Sequence, residues 1–111
     1  MQIHEQRKGA VTVLVPDGPL TAEDAAVFKE RAVVVFNKSL GRFVVDASRM
    51  AFVDSSGLEA LVDINEHLSQ SGQALKLCSA NKTVREVLNL TELDSLFEQY
   101  EDVTTAVRSF L

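Results

Sequence analysis

Three short apolar runs, Val11-Thr12-Val13-Leu14-Val15, Phe43-Val44-Val45 and Ala74-Leu75-Lys76-Leu77-Cys78, stand well apart along the chain, with helix-length segments between them. Strands joined by a dozen or more residues do not close as tight hairpins; they pair in parallel through right-handed crossovers. That requirement commits the middle of the chain to a β-α-β-α-β order. Phe43-Val44-Val45 lacks polar alternation, as expected of an inner strand covered on at least one face. Ahead of it, the period-two repeat of Val11, Val13 and Val15 and the partly alternating segment Met1 to Gln6 predict two strands joined across Arg7-Lys8-Gly9 as a hairpin. Pro16-Asp17-Gly18-Pro19 is expected to stop that part of the sheet.

From Thr21 the period changes. Thr21 followed by Asp24 has the spacing of a capping box, and Ala25, Phe28, Ala32, Val35 and Phe36 recur at helical spacing, which predicts a helix from Thr21 to near Gly41. Leu58, Leu61, Ile64 and Leu68 form a second apolar stripe that runs to about Ser71, with Gly72 as a left-handed cap. Glu59, Asp63 and Glu66 fall together on another face of that helix. A third helix is expected after Asn81, a short edge strand over Leu96 to Tyr100, and a closing helix marked by Val103, Ala106, Val107 and Phe110. A chain of 111 residues, 46% of them hydrophobic, is the size of one domain over residues 1–111 with a single modest core. The predicted class is α/β, a mixed sheet of four or five strands packed against about four helices.

The net charge of −5 argues against nucleic acid or an anionic membrane surface as the main partner, since both call for a basic face. Met1-Gln2-Ile3-His4-Glu5 has neither a basic nor an apolar leader segment, and no apolar run approaches the roughly 20 residues that span a bilayer. A cytoplasmic protein without direct membrane insertion is the expectation. Cys78 is the only cysteine, so it has neither a disulfide partner nor a companion at metal-ligand spacing, and it reads as a small apolar residue. No cofactor or metal site is expected.

Chemistry concentrates in Asp54-Ser55-Ser56-Gly57-Leu58, between the Phe43-Val44-Val45 strand and the second helix. A hydrolase elbow needs glycine two residues before and after its nucleophile, and Val53 fills the first of those places. A nucleophilic serine also needs a base, yet His67 lies roughly 16 Å along the helix at about 1.5 Å per residue, and His4 lies at the start of the chain. No catalytic residue is therefore assigned. Two roles stay open: Asp54 or Ser55 as the helix cap, and Ser55 as a phosphate acceptor, with Asp54 the nearby acid that orients its hydroxyl. Free N–H groups and the dipole at a helix start favour an anion, so a phosphate there need not unfold the domain.

Phe52-Val53-Asp54-Ser55-Ser56-Gly57-Leu58, placed between strand and helix in a chain of this size, resembles the signature of the STAS family, whose bacterial members include anti-sigma factor antagonists. Gly18-Pro19-Leu20 and Val84-Arg85-Glu86-Val87-Leu88-Asn89-Leu90-Thr91-Glu92-Leu93 resemble segments at the corresponding places of that family. The resemblance implies phosphorylation at Ser55, with Ser56 as the alternative acceptor, by an anti-sigma factor that is itself a serine kinase. It further implies that the unmodified form binds that factor and frees a sigma factor, and that a PP2C-type phosphatase restores binding. The implied partner surface comprises Asp54, Ser55, Ser56, Gly57 and Leu58. Glu59 and Asp63 either adjoin it or belong to a solvated helix face. The alternative within the family is a constitutive subunit of a transport complex, such as a lipid-transport ATPase. Thr21 and Glu59 depart from the family pattern, which often has an acid and a small residue at those two places.

Overall fold

In the computed structural model, which describes residues 1–111, the chain runs β1 (Gln2–Lys8), β2 (Val11–Asp17), α1 (Ala25–Lys38), β3 (Phe43–Asp46), α2 (Ser55–Ser69), β4 (Lys76–Cys78), α3 (Lys82–Leu90), β5 (Glu98–Tyr100) and α4 (Val103–Arg108). The strands form one five-stranded sheet in the order β1-β2-β3-β4-β5. β1 pairs antiparallel with β2, and every other pair is parallel, as the crossover lengths require. The predicted mixed α/β sheet with four helices is the architecture adopted.

Three local expectations are corrected. The hairpin turns at Gly9-Ala10, because β1 continues two residues past Gln6 to Lys8, with Gly9 in the left-handed region at φ 64°. β2 continues through Pro16 to Asp17, because its ladder with β3 ends at Leu14 and Pro16 has no donor to supply on that side. The Thr21 capping box does not form. α1 begins at Ala25, and the backbone carbonyl of Thr21 accepts from the N–H groups of Asp24 and Ala25 at 3.0 and 2.8 Å while Asp24 makes no side-chain cap. The two groups the box needs are engaged elsewhere: the Asp24 N–H goes to the Thr21 carbonyl, and the Asp24 carboxylate faces the Met1 amino group at 3.3 Å.

The alternating strand pattern sorts the core. Leu14, Phe43, Val45 and Leu77 face α1, α2 and α3, which cover them with Phe28, Leu61, Ile64, Leu68, Val84 and Leu88. Val11, Val44 and Cys78 point the other way and are covered by Ala106 of α4. β3 is thus buried on both faces, as its unbroken apolar run demands. Fully burying Phe28 alone contributes about 1.5–3 kcal/mol of apolar transfer energy. α4 is capped by Asp102, whose carboxylate accepts from the Thr105 N–H at 2.7 Å, and that bond holds the carboxyl below the usual range. At the other end of α4 the Lys76 ammonium donates to Ser109 Oγ at 2.7 Å and lies 4.4 Å from the Phe110 ring centre. No helix is long and apolar enough to cross a membrane.

One buried polar side chain ties a helix to the sheet. Asn65 of α2 is buried, and its Oδ1 accepts from the backbone N–H of Leu75 at 2.8 Å, just ahead of β4. Replacing it by leucine keeps the branched shape, though with more bulk, and strands that donor. Asn65→Leu is expected to lose about 1–3 kcal/mol of stability in urea unfolding, and Asn65→Asp, which keeps the acceptor, to lose less.

Candidate functional site

Parallel pairing of β2 and β3 brings the segments that follow their carboxyl ends side by side, and backbone hydrogen bonds then join the two. Gly18 N donates to Arg49 O at 3.0 Å, Leu20 N to Phe52 O at 3.0 Å, and Asp54 N to Leu20 O at 3.1 Å, so Leu20 and Val53 form an isolated parallel bridge. The carboxylate of Asp54 completes the junction. Its Oδ1 accepts from Gly57 N at 2.8 Å, which caps α2, and its Oδ2 accepts from Ala22 N at 3.0 Å, which fixes the approach to α1. Each bond to an ionised acceptor is worth about 1.5–3 kcal/mol.

Gly57 is required by that junction. A Cβ at this position would collide with the carbonyl oxygen of Leu20 and with a γ-methyl of Val53. The first turn of α2 therefore packs directly on the Leu20 backbone, and glycine is there for close approach, not for an unusual φ.

From the far side the loop is held by Asn81. Its Oδ1 caps α3 on Val84 N at 2.8 Å, while its Nδ2 donates to Met50 O at 3.2 Å and Ala51 O at 3.0 Å. The sequence marks Asn81 as a helix start, but nothing in its neighbourhood marks this second role. Phe52 also escapes sequence reasoning: it stands 46% exposed on this doubly clamped loop, three residues before Ser55.

Ser55 is the first residue of α2 and is exposed; its hydroxyl makes no hydrogen bond, and neither its N–H nor that of Ser56 has an acceptor within the chain. The expectation that Asp54 orients the serine hydroxyl is not met, because both carboxylate oxygens are taken by backbone donors. Ser56 is half-buried and lines a cleft between α1 and α2 with Ala22, Lys29, Glu59 and Asp63. Leu58 is half-buried against the core. The shared acidic face divides: Glu59 and Glu66 are exposed, whereas Asp63 turns toward α1 and pairs with Lys29 at 3.2 Å.

Both histidines are occupied elsewhere. His67 packs edge-on against Phe36 at 5.5 Å between ring centres, and His4 lies 3.6 Å from Asp17. Cys78 is buried beneath α4, and burial, reinforced by the charge of Asp46, pushes its thiol up to about 12. A thiol so placed carries almost no thiolate near neutral pH.

Known proteins resemble this chain along nearly its whole length. The STAS domain family model matches residues 2–106. A Thermotoga maritima protein provisionally named an anti-sigma factor antagonist is 33% identical over 98 residues, which is 87% of each chain. A crystal structure of an anti-sigma factor antagonist from Thermotoga maritima, likewise provisionally named, matches with a TM-score of 0.87 at 29% identity over 96% of this chain and 92% of that one. The anti-sigma factor antagonist SpoIIAA matches in its unphosphorylated form with a TM-score of 0.76 at 16% identity, over 98% of this chain and 96% of that one. Its phosphorylated form, from Bacillus, gives 0.69 at 15% identity over 97% and 99%. At those identities the likeness to SpoIIAA is one of fold.

The junction makes a graded prediction. Asp54→Ala removes both acceptors and is expected to cost about 2–4 kcal/mol in urea unfolding, with Asp54→Asn, which keeps one acceptor oxygen, falling between it and the parent. Gly57→Ala is expected to cost about 1–3 kcal/mol through overpacking against Leu20, although alanine is the better helix former.

Proposed function

The chain belongs to the STAS domain family, and on that premise we propose that it is an anti-sigma factor antagonist, a binding module without catalysis of its own, switched by phosphorylation at Ser55. The observation that carries this reading is the division of labour between neighbours: Asp54 is committed to the backbone, whereas the Ser55 hydroxyl is exposed and free. Ser55 is the acceptor in preference to Ser56, which is half-buried in the cleft between α1 and α2. The partner is an anti-sigma factor that is also a serine kinase, and a PP2C-type phosphatase reverses the modification.

Local physics favours a switch that leaves the fold intact. A phosphate adds about −1.5 to −2 charges. At Ser55 it meets two unpaired N–H groups and the positive end of the α2 dipole, an interaction of about 0.3–1 kcal/mol at an exposed site. In a complex the same group becomes a desolvated dianion beside Asp54, and like-charge placement at an interface costs several kcal/mol. About 3 kcal/mol weakens binding roughly a hundredfold. Ser55, Phe52 and Glu59 form the exposed part of the partner surface, with the rigidly held aromatic as its anchor. Asp54, Gly57, Leu58 and Asp63 support that surface through contacts within the domain.

Intact mass of the protein purified from its own host is expected to show one phosphatase-sensitive phosphate, absent from Ser55→Ala. Ser55→Ala is expected to retain the partner within a few-fold, and Ser55→Asp to bind at least about tenfold more weakly in titration calorimetry against the captured partner. Equal binding of that partner by the two variants would show that no such switch operates.

A further inference from the structure

We propose that the pole of the sheet opposite Ser55 holds a binding site for the phosphate group of a small soluble ligand, built from Arg7, Thr12, Lys38 and Arg42. α1 ends at Lys38, short of the amino ends of β2 and β3, and leaves a cleft of about 400 Å³ at that corner. Arg7 lies directly opposite Thr12 across the β1–β2 ladder, and the N–H of Thr12 donates to Arg42 O at 2.9 Å. β1, β2 and the residue leading into β3 thus deliver Arg7, Thr12 and Arg42 to one place.

Two independent features mark the cleft as a site for an anion. Thr12 is only 8% exposed, lines the cleft, and its hydroxyl has no partner within the chain. That hydroxyl opens into the cleft, where it is free to donate to a ligand oxygen. Arg7 and Arg42, like Lys8, Arg85 and Arg108, have no carboxylate partner, and of these five unpaired cations only Arg7 and Arg42 line this cleft. Two guanidinium forks flanking a hydroxyl donor match the tetrahedral oxygens of a phosphate.

The opposing charges near the cleft are already engaged. Glu5 also lines it, but one carboxylate oxygen is taken by Arg31 at 2.8 Å and the other faces Lys38 at 3.8 Å. The carbonyls at the end of α1 point toward this pole, yet Phe36 O accepts from Gly41 N at 2.9 Å and from Ser39 Oγ at 3.3 Å, and Val35 O accepts from Ser39 N at 2.9 Å. Leu40 and Gly41, with φ of 55° and 84°, form the turn that closes those bonds and leads into Arg42. The proposal is independent of phosphorylation at Ser55.

The test is a titration of the full chain with inorganic phosphate, followed by amide chemical shifts at an ionic strength held constant with chloride. Saturable shifts are expected at Arg7, Thr12, Ser39 and Arg42 at millimolar phosphate, and none at Ser55. The Arg7→Gln, Arg42→Gln double variant is expected to bind about tenfold or more weakly. Thr12→Val is expected to bind several-fold more weakly than Thr12→Ser, which keeps the hydroxyl and controls for any loss of folding. Tighter binding of glycerol phosphate would identify an ester as the ligand class, and equal binding the free ion. Shifts that chloride reproduces, or that persist unchanged in the double arginine variant, would overturn the proposal.

Discussion

The carboxylate of Asp54 is the interaction on which the rest of the site depends. One oxygen starts α2 by capping Gly57 N, and the other reaches across the chain to Ala22 N and fixes the entry to α1. A neutral or shorter side chain cannot serve both donors. With the Leu20 backbone packed under Gly57 and Asn81 holding Met50 and Ala51, the loop is clamped on each side. The consequence is that Ser55 sits on a rigid platform without contributing to it. A hydroxyl that bears no structural load can be modified without dismantling the domain.

Parallel pairing gives a molecule two unlike ends, and here they differ in chemistry. The carboxyl ends of β2 and β3 present helix starts, free N–H groups and the serine. The amino ends present the turn after α1 and a cleft bordered by Arg7, Lys38 and Arg42. α4 closes the opposite face of the sheet, anchored through Ala106 and by Lys76 on Ser109 and Phe110. Cys78, beneath α4, is kept protonated by the same burial.

Much of this was legible in the residues, because period and segment length are local properties. Val11, Val13 and Val15 announced a strand, Leu61, Ile64 and Leu68 a helix face, and the crossover lengths a parallel order, all as the structure has them. Gly72 closes the turn after α2 at φ 73°, in the left-handed region expected of it. Thr21 did not start the helix because a capping box is also a local pattern, and here the distant Met1 amino group holds the Asp24 carboxylate while the Asp24 N–H goes to the Thr21 carbonyl. For the same reason Asp54 was readable as a cap but not as a bridge, and Asn81 as a helix start but not as a clamp. Arg7 and Thr12 lie on separate strands and Arg42 just ahead of a third, so only the register brings them together. Asp63 and Glu59 share a helical face in sequence, but the packing of α1 beside α2 gives Asp63 a lysine and leaves Glu59 exposed.

The central claim is that Asp54 holds the backbone independently of Ser55, so that phosphorylation changes the surface and not the fold. Hydrogen exchange of the Ala22 and Gly57 amides, compared between the unmodified chain and one carrying phosphoserine at position 55, tests it most directly. Unchanged protection of both amides is the predicted result. Loss of protection at either would mean that the phosphate displaces the Asp54 clamp and that the switch works by unfolding the loop.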